Sequence, residues 1–425
     1  MATTTTTSSK ELTLCLDYAD SAYAALAAKA LELWRSEWGD EGRYTEAGLC
    51  ITADRGVDDY VVKSLTNVKA LLTQEAKLKG LDPTKYIEDS IQVLQSRQDI
   101  LDTTKTGGGN GDFGYLNRRA GWADAEASMR WLRRQVDSTK RVSFVKGTVK
   151  RLAFAENGNI LGATLSDGGI LHADLTVIAA GAWSPALLDL RGIVQATGQV
   201  LTYIEISDEE AAELSKTPTQ LNMSTGMTKH AGCFCIAPPH PTKKLSFTGN
   251  DRRLFWKMAR HGYGYLNIIT IPHPEDSTKP DIAISAPRTS TSTPMANQQI
   301  PQEAIDVCRA YLQSVVAPDS PLLRRPFVYT RICHYADTAS GDWLIDYHPK
   351  YNKTLFVATG GSGHGFKFLP VIGDQIVQCI LGRCPEEFKT KWCWRDAVTY
   401  ESWPGDGSRG GRRGMILDEE LGASG

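Results

Sequence analysis

The 425-residue sequence has no apolar run approaching the roughly eighteen residues that cross a bilayer. Its first ten residues are a Thr- and Ser-rich run without the apolar core of a secretory leader. Charge of one sign is not in excess: 47 Lys and Arg stand against 49 Asp and Glu, a net of −2, so no field calls for nucleic acid or an anionic surface. The nine cysteines, at positions 15, 50, 233, 235, 308, 333, 379, 384 and 393, are odd in number and lack both paired CxxC spacing and disulfide-scaffold density. Residues 421–425 are not a peroxisomal tripeptide, and no internal repeat is present. The expectation is a cytoplasmic protein with no metal, no nucleic-acid partner and no membrane association.

What the chain does have is core-forming material. Apolar residues make up 41% and charged residues 23%, enough over this length to fill two or three lobes. Three- and four-residue apolar spacing predicts helices over 18–38, 59–77, 86–95, 122–136, 305–315 and 366–381. A period of two predicts short strands over 142–147, 149–155, 160–165 and 175–180, joined by turns such as Asn157-Gly158 and Asp167-Gly168-Gly169. Strands also dominate 199–288, and 327–335 and 354–358 read as buried strands. The Gly-, Arg- and Trp-rich tail beyond Cys393 reads as a wrapping extension.

Two glycine clusters invite a chemical reading. Gly109, Gly111 and Gly114 spell GxGxxG, but residues 99–106 are not a buried strand that could deliver the first glycine to a helix N-terminus, so this is read as a plain loop. In 355–373, LFVATGGSGHGFKFLPVIG, an apolar strand runs through Gly360, Gly361, Ser362, Gly363, His364 and Gly365 into a helix. Glycines there admit a flat or anionic group close to backbone, although a tight strand-to-helix turn without a ligand has the same spacing. Cys333 reads alone as a buried thiol, Lys257 as a solvated strand residue, and His261 equally as a satisfied core histidine. Lys367, a cation within an apolar run, is costly unless it meets an anion.

The 355–373 stretch closely resembles the C-terminal flavin-binding signature of FAD-dependent amine oxidases of the sarcosine oxidase type, which include pipecolate and saccharopine oxidases and fructosyl amino acid oxidases (amadoriases). Three further blocks follow in family order. They are Leu175-Thr-Val-Ile-Ala-Ala-Gly181-Ala-Trp183-Ser184, then Leu254-Phe-Trp-Lys257 to His261-Gly-Tyr-Gly-Tyr265, then Arg331-Ile-Cys333-His-Tyr335 with Asp342-Trp-Leu-Ile-Asp346. The resemblance implies an α/β fold of the α+β kind: a glutathione-reductase-like FAD-binding domain with an antiparallel-sheet substrate domain. The strand, GxGxxG turn, helix and second strand that open family members have no counterpart before Asp17, so an N-terminally incomplete fold is expected. On this reading 1–16 is a polar leader, 17–60, 120–198 and 325–425 form the FAD domain, and 61–119 and 199–324 the substrate domain.

The resemblance also implies roles. Cys333 would anchor FAD through an 8α-S-cysteinyl bond, with Gly181, Gly361, Ser362, Gly363, His364 and Gly365 beside the cofactor. Lys257 would activate oxygen, with His261 the second catalytic residue. Lys367 would hold the substrate carboxylate and Tyr335 would line the pocket. The implied reaction is oxidation of the C–N bond of an N-substituted amino acid to an imine, with O2 reduced to H2O2, by a monomer acting on a small amino-acid-like substrate. Amadoriases carry glutamate at the position of His261, which favours an unglycated secondary amino acid. An amadoriase, a flavin-dependent tailoring enzyme of secondary metabolism and a truncated, non-catalytic binding remnant are the alternatives.

Overall fold

The computed structural model describes residues 11–224, 230–236, 238, 253–288 and 299–422. The polar run at 1–10 lies outside the described residues.

Helix Ser21–Trp34 begins where Asp20 Oδ1 accepts the backbone N–H groups of Ala22 and Tyr23, at 3.0 and 3.1 Å. Tyr23, Ala24, Leu26, Ala27, Ala30, Leu31 and Trp34 form its buried stripe. That stripe seats the helix on the turn Gly365–Phe368 and the following helix Leu369–Ile380, and Trp34 Nε1 donates to the Lys367 carbonyl at 2.7 Å. Tyr23 lies within 5.2–6.1 Å of the rings of Trp343, His364, Phe368 and Phe388, and buried rings of this kind contribute about 1.5–3 kcal/mol each. The first helix thus fixes the turn that carries Lys367.

Among the described residues the strands form one ten-stranded sheet and four small ones. The large sheet runs in the order Met415–Ile416, Tyr265–Leu266, Val194–Ile206, Leu254–Arg260, Cys233–Ile236, Thr219–Asn222, Leu49–Ala53, Phe113–Asn117 and Ile91–Leu94, and Tyr329–Thr338 also pairs with Val194–Ile206. Pairing is antiparallel except between Thr219–Asn222 and Leu49–Ala53 and between Tyr265–Leu266 and Met415–Ile416. The sheet takes strands from both sides of the boundaries read at 60, 198 and 325. A second sheet pairs Thr176–Ile178 in parallel with Leu355–Thr359, and Leu344–Tyr347 lies antiparallel to the latter.

Local differences from the sequence reading have tertiary causes. The helix expected over 86–95 stops at Ser90, because Ile91–Leu94 pairs with Phe113–Asn117. The helix expected from 122 begins at Ala125, after Gly121–Asp124 has paired with Glu11–Leu14. The meander Val149–Phe154, Ile160–Leu165, Ile170–His172 forms, but 142–147 is no strand: Val142, Phe144 and Val145 are about half exposed, and the Phe144 ring packs under Arg133 instead. Alternation alone does not hold a strand that finds no ladder partner.

Candidate active site

Register in the large sheet sorts the candidate residues by face. Lys257 lies opposite Tyr203, which in turn lies opposite Tyr329; Cys333 faces Gln199 and Tyr335 faces Thr197. Opposed residues share a face, and so do residues two apart along one strand, so Lys257, Cys333 and Tyr335 stand on the same side. Lys257 is 3% exposed with Phe234's ring 5.7 Å from its Nζ, which rules out the solvated-strand reading. Cys333 is buried among Leu201, Tyr203, Phe255, Ala259 and Tyr329. His261 follows the end of Leu254–Arg260, its ring 5.7 Å from that of Tyr335. Burial, reinforced by the positive charge of Arg409 and by His364 and Lys367, pushes its pKa well below the usual imidazole range, so it is neutral.

The glycine-rich turn meets this face. Strand Leu355–Thr359 ends at Gly360, and Ser362 adopts φ +46, held by its N–H on the Ala336 carbonyl at 2.9 Å and its Oγ on the Gly360 carbonyl at 2.9 Å. Gly363 has φ +74, and a Cβ there would stand 2.4 Å from the Tyr335 ring, so this position requires glycine on both counts. Gly181, Gly361 and Gly365 differ: among the described residues nothing beyond their chain neighbours lies within 4 Å of where their Cβ would stand. Gly181 and Gly361 follow the C-terminal ends of two parallel strands, the edge at which open α/β sheets bind ligands.

His364 is spoken for. Its Nε2 donates to the Gly341 carbonyl at 3.0 Å and its Nδ1 accepts from the Tyr18 hydroxyl at 3.1 Å, while burial lowers its pKa to about 4. It braces the turn. Lys367 Nζ lies 3.3 Å from Cys15 Sγ and 4.7 Å from the Tyr18 ring centroid. Among the described residues no carboxylate forms an ion pair with Lys367. The nearby Asp17 is committed to Tyr115 Oη at 2.8 Å and Asn117 Nδ2 at 3.1 Å, and burial raises its pKa.

Sequence reasoning missed the contribution of the tail. Arg409 donates through Nη1 to the Gly262 carbonyl at 2.9 Å and Asp337 Oδ2 at 3.1 Å, and through Nη2 to Asp337 Oδ1 at 2.6 Å and the Ser362 carbonyl at 2.9 Å. Its guanidinium also stacks 5.1 Å from the Tyr335 ring centroid. Burial opposes its charge, but Asp337 outweighs burial and raises its pKa. One side chain therefore joins the sheet, the residue after His261 and the glycine-rich turn. The only sequence signal was an arginine-rich tail; nothing in it singles out Arg409. The GxGxxG at 109–114 is packing: a Cβ at Gly114 would stand 2.2 Å from the Ile51 carbonyl oxygen and one at Gly111 2.8 Å from the Ala53 carbonyl oxygen, so these two admit the neighbouring strand, while Gly109 packs against Ile100 and Leu101.

A thiol, an amine and a phenol on one sheet face, met by glycine turns with open Cβ positions and an ammonium that forms no ion pair among the described residues, suit a flat redox ring and an anionic substrate. They fit a flavin. The chain belongs to the FAD dependent oxidoreductase family, whose profile matches residues 2–379. A match that begins at residue 2 gives no support to an N-terminally incomplete fold.

Among curated proteins the chain is similar to the amino acid oxidase fsqB of Aspergillus fumigatus, 29% identical over 408 residues, covering 86% of this chain and 80% of that protein. It is also similar to L-saccharopine oxidase of Schizosaccharomyces pombe, 29% identical over 394 residues, with 89% and 81% covered. Among solved structures it resembles the deglycating fructosamine oxidase of A. fumigatus (Amadoriase II), with a TM-score of 0.72 and 26% identity over 96% of this chain and 85% of that one. Fructosyl peptide oxidase from E. terrenum, 23% identical with a TM-score of 0.75 over 97% and 86%, shares the fold. Among the described residues no helix is long and apolar enough to cross a membrane.

Proposed function

We propose that this FAD-dependent oxidoreductase oxidises the C–N bond of an N-substituted amino acid to an imine, passing the electrons to O2 and releasing H2O2. The observation that carries the reading is the partly buried Lys367 ammonium, which forms no ion pair with a carboxylate among the described residues, beside a sheet face bearing Lys257, Cys333 and Tyr335. FAD, when bound, accepts the two electrons of the substrate C–H bond and returns them to O2.

The chain's own residues bind, orient and tune. Cys333 would hold the flavin covalently, and Gly181, Gly361 and Gly365 would leave room for it, while Ser362, Gly363 and His364 hold the turn in shape. Lys257, buried on the same face, stabilises negative charge as oxygen is reduced. Lys367 pairs with the substrate carboxylate, and the Tyr335 ring walls the pocket beside His261. Neutral His261 accepts a hydrogen bond from the substrate amine, a role that a secondary amine N–H satisfies.

Peroxide release is the test. The chain purified with FAD is offered sarcosine, N-methyl-L-tryptophan, L-saccharopine, the corresponding primary amino acids and a fructosyl amino acid. Turnover of a secondary amino acid in preference to its primary parent is expected. Preference for the fructosyl compound would move the assignment to an amadoriase, and no peroxide from any of them would overturn it.

A further inference from the structure

His261 is held from outside the sheet by the C-terminal tail. Its Nε2 lies 3.1 Å from Ser408 Oγ, and Ser408 Oγ lies 2.5 Å from Asp406 Oδ1. The Ser408 N–H also donates to Asp406 Oδ1, at 2.9 Å, which fixes the turn. A carboxylate only accepts, so the single hydroxyl proton of Ser408 points to Asp406 and its oxygen becomes the acceptor for His261. Nε2 must then carry the ring proton, and Nδ1 keeps a lone pair that takes no hydrogen bond among the described residues.

We propose that Asp406 and Ser408 are positioning residues that hold His261 as the Nε2–H tautomer, leaving Nδ1 as the acceptor for the N–H of the substrate amine. This rests on the reading of His261 as part of the amine site. The tail is held in register for this task. Gly410 bridges to Gly262, Arg409 ties the tail to Asp337 and the Ser362 carbonyl, and the Gly405 N–H donates to the Ala339 carbonyl at 2.8 Å. The charged and titratable groups around the ring are Arg409 and Asp406 from the tail, Tyr335 from strand Tyr329–Thr338, and His364 and Lys367 from the glycine-rich turn. The two cations and burial oppose protonation, so the ring remains a neutral acceptor while Asp406, acting through Ser408, selects which nitrogen accepts.

The arrangement is read directly by nitrogen NMR of the ring in 15N-histidine-labelled full-length protein purified with FAD, with His261 assigned from its absence in His261→Gln. The wild type is expected to show Nε2 protonated and Nδ1 bare from pH 6 to pH 8. Ser408→Ala and Asp406→Asn should mix the two tautomers and lower kcat/KM for the secondary amino acid about tenfold, the cost of one lost hydrogen bond. Ser408→Thr should restore both readouts, which a general loss of tail packing would not allow. A protonated Nδ1 in the wild type, or ring signals unmoved in Ser408→Ala and Asp406→Asn, would overturn the proposal. If the tautomers respond as expected but no secondary amino acid is oxidised, the positioning stands and the reading of the reaction fails.

Discussion

At the scale of single residues, the site depends on a few side chains whose chemistry exceeds what packing needs. Lys367 is the plainest, a partly buried ammonium whose near neighbours are a thiol and a ring. If it holds the substrate carboxylate, Lys367→Met should raise KM about 10–100-fold with a smaller change in kcat, since one charge-assisted contact is worth about 1.5–3 kcal/mol. Steady-state kinetics on the amino acid and on its decarboxylated amine check this: the defect should vanish with the amine, and equal defects on both would remove Lys367 from carboxylate binding. Lys367 was legible because a cation in an apolar run demands an explanation. Lys257 was legible through the resemblance alone, because its residue type reads as a solvated strand position and only the register that sets it opposite Tyr203 shows that it faces inward. Arg409, Asp406 and Ser408 were invisible for a further reason: local sequence does not reveal which loop residue a tail will deliver 147 positions from Gly262 or His261.

At the scale of elements, the glycine-rich turn does two separable things, and substitutions can part them. Gly363 combines φ +74 with the Tyr335 ring in its Cβ position, so Gly363→Ala should destabilise by about 2–4 kcal/mol through backbone strain and overpacking. Gly361 has open space at its Cβ position, so Gly361→Ala should leave the thermal midpoint unchanged while lowering the flavin content of the purified protein. Thermal unfolding and flavin absorbance separate the two, and a stable Gly363→Ala would contradict the close packing of this turn. Long amphipathic elements such as Ser21–Trp34, Asp59–Leu78 and Gln302–Val315 were legible because their burial is periodic along one segment. Strand Ile91–Leu94 and the failed strand at 142–147 were not, since each is decided by whether a distant partner arrives.

At the scale of the whole molecule, several histidines are buried neutral, and this gives stability a pH dependence of definite sign. Burial lowers His364 and His334 to about 4, against an unfolded value of about 6.5. Their folded pKa values are depressed, so above about pH 6.5 their stabilisation is fully present, and it is lost as pH falls toward 4 because the unfolded chain takes up protons that the folded one refuses. The thermal midpoint should therefore drop steadily from pH 7 to pH 5, and His364→Asn should flatten that slope; a midpoint indifferent to pH in this window would contradict the burial. Central to the proposed function is a flavin fixed at Cys333. The most direct measurement is the visible spectrum of protein produced with ample flavin, then denatured, precipitated with acid and washed, for the wild type beside Cys333→Ala. A yellow pellet from the wild type and a colourless one from the variant is the predicted result, and a colourless wild-type pellet, or colour that survives Cys333→Ala, would contradict it.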